Sequence, residues 1–306
     1  MKGIVAKSTG SWYTVLTEDG KELQARIKGK FRLKGMKATN PVAVGDSVIL
    51  QNDLATGDYQ ITEIADRQNY IIRKSSNLSS QYHIIAANME QAACVVTIAY
   101  PRTSQGFIDR FLITAEAYEI TPLIIFNKED LAIDKKREKL EQLRALYNSL
   151  GYGCLETSAK TGLHMDELRQ ELHGKTSLLI GHSGAGKSTI LNFLCPELEL
   201  RTGVLSDWSG KGKHTTTFAE MHFLNAETRI IDTPGIKEFG LVDFKKEEIS
   251  HYFPEMKDVL SQCKFNNCLH INEPGCKILR LLELGQINPE RYASYLNMLD
   301  DDGVEG

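Results

Sequence analysis

The sequence lacks any apolar run that approaches the roughly 20 residues of a membrane-spanning helix. Its first residues, 1–4, begin a strand-like segment and do not show the charged and then apolar pattern of a secretory leader. Net charge is also small, because 36 basic residues face 40 acidic ones among 306. The sequence therefore predicts a cytoplasmic protein, and any nucleic-acid binding must depend on where the basic residues cluster.

Cysteine is scarce, with six residues in the whole chain. Four metal-ligand residues nevertheless follow the spacing C-x4-C-x-H-x5-C: Cys263, Cys268, His270 and Cys276. Three thiolates and one imidazole can close a tetrahedral Zn²⁺ site with no open position for catalysis, although coincidence is the alternative. A disulfide fits poorly with a cytosolic chain. The remaining cysteines are predicted to be small core residues: Cys94, Cys154 and Cys195.

A phosphate-binding loop of the form G-x-x-x-x-G-K-[ST] lies between an apolar strand at 177–180 and a short amphipathic helix that begins at Thr189. The loop residues are Gly181, His182, Ser183, Gly184, Ala185, Gly186, Lys187 and Ser188. Its glycines let backbone N–H groups face a phosphate at a helix N-terminus. Lys187 would place a charge between the β- and γ-phosphates and is a predicted catalytic residue, while the Ser188 hydroxyl can ligate Mg²⁺. The alternative is a glycine-rich turn without a ligand.

Two further turns predict recognition of guanine. Asn127, Lys128, Glu129 and Asp130 form an N-K-x-D string after a buried strand at 123–126. The carboxylate of Asp130 can accept from N1–H and the exocyclic amine of guanine, whereas adenine would present a lone pair to it. The second turn, near a strand at 153–156, contains Ser158, Ala159 and Lys160, whose backbone can reach O6. Either turn alone could be an ordinary polar connection, but all three loops end predicted strands of one α/β sheet, where such sheets bind ligands.

The segment 201–217 is polar and glycine-rich, which is typical of a switch that γ-phosphate and Mg²⁺ order. We expect Thr216 to complete the metal shell, with Thr215 as the alternative. Asp232 would reach Mg²⁺ through water, and the Gly235 N–H would sense the γ-phosphate.

These motifs occur in an unusual order. The N-K-x-D and S-A-K turns precede the phosphate loop and the D-x-x-G turn at 232–235, the reverse of the order in Ras-like GTPases, which predicts a circular permutation. Ile236 stands where Ras-like enzymes carry the glutamine that orients water, so hydrolysis should be slow without a partner. His214 is the catalytic candidate in the predicted switch, although a solvated loop histidine explains it equally well.

The N-terminal residues predict a small β-barrel of the OB type, with five short strands separated by turns. A basic stretch with one aromatic residue lies between strands and could follow an RNA backbone and stack on a base, or simply be a solvated face. Its predicted RNA-binding residues are Lys28, Lys30, Phe31, Arg32, Lys34 and Lys37.

The chain as a whole is predicted to form three units. They are an OB domain at 1–70, a circularly permuted α/β P-loop GTPase domain at 71–238, and an α-helical zinc-binding domain at 239–306. Helices are expected near 276–284 and 289–299, and the acidic end, 300–306, is expected to be a disordered tail.

With this motif order, the N-terminal barrel and the zinc spacing, the sequence resembles the RsgA family, also called YjeQ or YloQ, the bacterial GTPases that depend on the small ribosomal subunit. The resemblance covers essentially the whole chain, and no motif position departs from it. It implies GTP hydrolysis stimulated by the subunit, binding to its rRNA, a role in late maturation, one structural Zn²⁺, and Mg²⁺ with GTP. Asn127, Lys128 and Asp130 would read guanine.

Two other function classes stay open. An RNA-binding module could use nucleotide binding only as a regulatory latch, which Ile236 allows. A P-loop kinase or ATPase is the other class, and the N-K-x-D string argues against it. Nothing in the sequence indicates oligomerisation, so we expect a monomer.

Overall fold

Residues 1–27, 40–53, 57–74, 82–198, 218–234, 241, 244–301 and 304–305 are described by the computed structural model. The chain begins with five strands: β1 (Lys2–Ser8), β2 (Tyr13–Thr17), β3 (Glu22–Ile27), β4 (Ser47–Asn52) and β5 (Tyr59–Ile64). They pair in the order β1-β2-β3-β5-β4, and β4 returns to β1. Alternate residues such as Val5, Val15 and Ile61 fill the interior. The predicted OB-type barrel is confirmed.

A hairpin and an α/β unit follow the barrel. The hairpin consists of β6 (Tyr70–Lys74) and β7 (Tyr82–Ala87), which the sequence analysis did not predict. The α/β unit then comprises β8 (Gln91–Val96), α1 (Gln105–Ala117), β9 (Thr121–Phe126), α2 (Lys135–Ser149), β10 (Gly153–Glu156), α3 (Met165–Leu172), β11 (Thr176–Ile180), α4 (Lys187–Leu194), β12 (Glu220–Phe223) and β13 (Arg229–Asp232).

The α/β unit is a sheet in the order β10-β9-β8-β11-β13-β12, in which the first five strands are parallel and β12 is antiparallel. Helices α1 and α2 cover one face, while α3 and α4 cover the other. Every residue of β8 is buried, as expected for a parallel strand covered on both faces. The parallel strands therefore end at one edge, where the three predicted binding loops begin.

The barrel continues the sheet of the α/β unit. Strand β1 pairs antiparallel with β12, with Lys7 opposite Glu220, and the two side chains form an ion pair at 2.8 Å. The barrel and the α/β unit thus share one eleven-stranded sheet. The junction lies on β12, the strand that follows the predicted first switch segment.

The C-terminal part is mainly helical. It contains β14 (Phe244–Lys245), α5 (Lys246–Ile249), α6 (Pro254–Lys257), α7 (Lys277–Glu283), α8 (Pro289–Leu299) and β15 (Val304–Glu305). The last two helices lie close to where the sequence predicted them. Asn288 caps α8, since its side chain accepts from the N–H groups of Glu290 and Arg291. No helix in the described ranges is long and apolar enough to span a membrane.

The expectation of a disordered acidic tail was wrong for the described residues of that segment. The carboxylate of Asp301 forms an ion pair with Arg110 on α1, and Val304–Glu305 pairs in parallel with Phe244–Lys245. Acidic composition predicts disorder only when the charges stay solvated. Here α1 supplies a guanidinium partner.

A buried ion network joins α8 to the α/β unit. The guanidinium of Arg291, which has no exposed surface, donates to Asp109 at 2.7 Å and to both carboxylate oxygens of Glu255 at 2.6 and 2.9 Å. The Tyr147 hydroxyl donates to the same Asp109 oxygen at 2.8 Å. Burial opposes the charge on Arg291, but the carboxylates of Glu255 and Asp109 outweigh it and raise its pKa. The network depends on having all its members, because a buried charge without a partner is costly.

We expect Arg291→Ala to lower the free energy of unfolding by about 3–5 kcal/mol, since it leaves the buried Asp109 and the largely buried Glu255 without their cation. Urea unfolding followed by circular dichroism measures this effect. Arg169→Ala is the control, because Arg169 lies in an exposed setting, where it pairs with Asp166 at 3.2 Å and donates to the Phe193 carbonyl at 3.5 Å. Equal urea midpoints for the two variants would contradict the structural role of the network.

Candidate nucleotide and metal sites

The phosphate loop has a backbone that only glycine accommodates at two positions. Gly181 and Gly186 have φ angles of 151° and 103°. A Cβ on Gly181 would lie 2.6 Å from the Val95 carbonyl oxygen, and a Cβ on Gly186 would lie 2.2 Å from Nδ2 of Asn127. The loop therefore packs its backbone directly against β8 and the N-K-x-D turn, leaving its N–H groups to form the cradle.

Lys187, the first residue of α4, is folded into the loop. Its Nζ donates to the carbonyl oxygens of Gly181 at 2.9 Å and His182 at 3.3 Å. Burial lowers the pKa of Lys187, and the nearby carboxylate of Asp232 opposes that effect. The ammonium is thus held inside the loop, where an anionic phosphate would be its natural partner. Ser188 and Thr189 follow in the first turn of the same helix.

Asn127 connects all three loops. Its Nδ2 donates to the Ala185 carbonyl of the phosphate loop at 2.9 Å. Its Oδ1 accepts from the Ala159 N–H at 3.2 Å and from the Thr157 hydroxyl at 3.3 Å. The side chain is 4% exposed. A single buried amide therefore fixes the phosphate loop relative to both predicted guanine turns.

Lys128 and Asp130 flank this amide. Lys128 has a left-handed backbone with φ 63°, and its Nζ donates to the carbonyls of Gly184 and Tyr100, both at 2.7 Å. Burial lowers the pKa of Lys128. Asp130 accepts from the Ser158 hydroxyl at 2.6 Å, so the two turns already meet. Lys128 thus contacts the phosphate loop, while Asp130 contacts the second guanine turn.

The remaining predicted residues are placed differently. The Glu129 carboxylate turns away to Arg137 on α2, so its side chain supports the turn, while Lys160 is exposed at the end of the second turn. Sequence reasoning missed Tyr100, whose carbonyl holds Lys128, and no motif signals it. It also missed Phe107, whose ring lies 4.2 Å from that of His182 between centroids.

The predicted Mg²⁺ ligands are the oxygen atoms of a carboxylate and a hydroxyl. Asp232 ends β13 beside the phosphate-loop strand, with Leu179 as its register partner, and is 2% exposed. Ser188 supplies a hydroxyl from α4. Carboxylate and hydroxyl oxygens are the ligands that Mg²⁺ takes beside nucleotide phosphates, so this donor set fits the ion.

Several predicted residues lie outside the described part of the chain. They are the switch residues His214, Thr215, Thr216, Gly235 and Ile236, and the basic stretch Lys28, Lys30, Phe31, Arg32, Lys34 and Lys37.

The four predicted metal ligands converge at the C-terminal unit. Their ligand atoms all lie within 4.8 Å of one another: Cys263, Cys268, His270 and Cys276. Among the pairs, Cys263 Sγ lies 3.6 Å from His270 Nδ1, and His270 Nδ1 lies 3.3 Å from Cys276 Sγ. A tetrahedral Zn²⁺ with sulfur and nitrogen ligands has edges of about 3.5–3.8 Å, so the cluster can hold a metal. All six cysteines, which are all described, are free of disulfides.

Helix α8 supports this cluster. The hydroxyl of Tyr292 donates to the His270 carbonyl at 2.6 Å, and that of Tyr295 donates to the Leu269 carbonyl at 2.8 Å. The backbone that presents His270 is therefore fixed by the same helix that carries Arg291. Of the other cysteines, Cys94 is fully buried as predicted, whereas Cys154 and Cys195 are only partly buried.

Comparison with known proteins shows a likeness over nearly the whole chain. The RsgA GTPase family model matches residues 64–242, and the RsgA N-terminal domain model matches residues 2–58. Small ribosomal subunit biogenesis GTPase RsgA 2 of Bacteroides thetaiotaomicron is 51% identical over 302 residues, covering 98% of this chain and 97% of the relative. The RsgA of Christiangramia forsetii is 51% identical over 306 residues, covering 99% of this chain and 96% of the relative.

Solved structures show the same likeness. YjeQ from Thermotoga maritima superposes with a TM-score of 0.76 at 34% identity, covering 97% of this chain and 96% of that one. YloQ, a circularly permuted GTPase, superposes with a TM-score of 0.70 at 29% identity, covering 97% of this chain and 93% of that one. The permuted motif order, the barrel and the sequence identity lead to one conclusion. The chain belongs to the RsgA GTPase family.

Proposed function

We propose that this protein hydrolyses GTP to GDP and phosphate as a late maturation factor of the small ribosomal subunit, and that the subunit stimulates the reaction. The observation that carries the GTP assignment is the joining of the phosphate loop and both guanine turns through Asn127. The ribosomal role is supported by two relatives named small ribosomal subunit biogenesis GTPase. Each is 51% identical in sequence to this protein over nearly the full chain.

The mechanism we propose assigns each residue a task. Backbone N–H groups at 181–188 bind the phosphates, Lys187 stabilises charge on them, and Asp130 with a backbone N–H near Ala159 reads the base. When bound, Mg²⁺ would neutralise phosphate charge, with Ser188, Thr216 and Asp232 as the residues that hold it.

Stimulation by a partner follows from Ile236, the residue directly after Gly235. Ile236 cannot hydrogen-bond an attacking water, so another group must orient it, and we propose His214 for this task once the subunit positions it. Gly235 would sense the γ-phosphate. The same residue, Ile236, also allows the second function, in which nucleotide binding is only a latch on an RNA-binding module.

We further propose three functional units, at 1–70, 71–238 and 239–306, which grip the subunit together in the GTP state. The separate matches of the two family models at 2–58 and 64–242 support the first division. The basic stretch 28–37 would contact rRNA. We propose that the protein is cytoplasmic, because the ribosomal subunits on which it would act are cytoplasmic. We also propose that it is a monomer.

The test is GTP and ATP hydrolysis by the purified chain, with and without small ribosomal subunits. We expect small subunits to raise GTP turnover by about tenfold or more and to leave ATP turnover unchanged, because they complete a site that lacks its water-orienting group. Large subunits are the partner control, and Lys187→Ala is the variant control that should show no stimulation. An unchanged GTP rate with small subunits would contradict the proposal, and unstimulated multiple turnover would favour the latch.

We propose that the metal at the cysteine cluster is one structural Zn²⁺, because four protein ligands leave no open position. Elemental analysis should find one zinc ion per chain, and Cys276→Ala should lose it along with part of the thermal stability. Cys195→Ala is the control, since this partly buried cysteine lies outside the cluster. Equal zinc content in both variants would rule out the assignment.

A further inference from the structure

Arg137 lies between the two turns that read the base, although neither sequence motif includes it. It belongs to the first turn of α2. Its Nη1 donates to Glu129 Oε1 at 2.8 Å and to Glu156 Oε2 at 2.9 Å. Glu129 is inside the N-K-x-D turn, and Glu156 is the last residue of β10, directly before the second turn. One guanidinium therefore ties both turns together from outside the pocket.

The two carboxylates need this cation. Both lie within 2.9 Å of a single nitrogen atom, so without Arg137 two negative charges would face each other across the turns. Glu156 is only 6% exposed, which strengthens that repulsion. Its other oxygen pairs with Arg144 at 2.9 Å, but Arg144 does not contact Glu129 in the described structure.

The orientation of the Asp130 carboxylate depends on the contacts of Arg137. Asp130 lies in a short 3-10 turn, Glu129–Leu131, that has no side-chain cap. The turn is fixed by the Glu129 N–H, which donates to the Thr157 carbonyl at 3.1 Å, by the Ser158 hydroxyl on Asp130, and by Arg137 on the neighbouring side chain. Moving Glu129 would therefore displace Asp130 directly.

We propose that Arg137 is a positioning residue for guanine selectivity, acting through Glu129 and Glu156 to hold Asp130 against the 2-amino group of the base. This inference rests on the guanine pocket of the proposed function. A displaced Asp130 loses a contact that guanine makes and hypoxanthine, which lacks the 2-amino group, does not. A purely structural loss would weaken both bases equally.

The experiment measures dissociation constants of GDP and IDP by fluorescence competition with the full chain. Arg137→Ala should weaken GDP binding about tenfold and IDP binding by about threefold or less, so the preference for GDP over IDP falls. Arg144→Ala is the matched control, since Arg144 is on the same helix and, among the described residues, pairs with Glu156 but not with Glu129. Its GDP to IDP ratio should stay within about twofold of the wild type.

Two more variants test the repulsion itself. Arg137→Lys keeps the charge but not the planar fork, so it should recover part of the selectivity ratio. Adding Glu129→Gln to Arg137→Ala removes one of the facing charges and should also restore part of the ratio, a non-additive result. Circular dichroism checks folding, and if Arg137→Ala does not fold, Arg137→Lys carries the same comparison against Arg144→Ala.

The inference would be overturned if Arg137→Ala weakened GDP and IDP by the same factor, or if Arg144→Ala lowered the ratio as much. Failure of the underlying pocket would look different, because the wild-type protein would then bind GDP and IDP equally or bind neither.

Discussion

The side-chain amide of Asn127 is the interaction on which the nucleotide site depends. It joins the Ala185 carbonyl of the phosphate loop to the Ala159 N–H and the Thr157 hydroxyl of the second guanine turn. The close approach also explains Gly186, where any Cβ would collide with Nδ2 of Asn127. Base binding and phosphate binding are therefore geometrically linked, because neither set of groups can move without the amide.

Rigid elements lead from this site to both flanking parts of the chain. On one side, α1 begins beside the phosphate loop with Phe107 against His182, and its Asp109 meets Arg291 on α8. The tyrosines of α8 in turn hold the backbone at His270 in the cysteine cluster. On the other side, β12 joins the barrel through β1, with Lys7 paired to Glu220. Packed helices and paired strands of this kind are elements through which a change at one site can reach another.

Sequence reasoning identified the family and the fold from residues that lie close together in the chain. The phosphate loop, the N-K-x-D string and the cysteine spacing are local, and buried β8 is visible as a continuous apolar run. Sequence reasoning missed the features that depend on contacts between residues far apart in the chain. The β1–β12 junction is one edge pairing without a sequence signal, and Arg137 bridges acids that are eight and nineteen residues away. The acidic tail was judged by composition, which contains nothing about Arg110 on α1.

The most direct test of the guanine pocket is the nucleotide preference of Asp130→Asn. An asparagine amide cannot accept from both N1–H and the 2-amino group of guanine but can donate to the 2-carbonyl of xanthine, so GTP affinity should fall about a hundredfold while XTP affinity rises. Asp134→Asn is the matched control, because Asp134 is exposed at the start of α2 and its side chain caps no N–H there. Wild-type GTP affinity in Asp130→Asn would contradict the pocket and the role of Asn127 in assembling it.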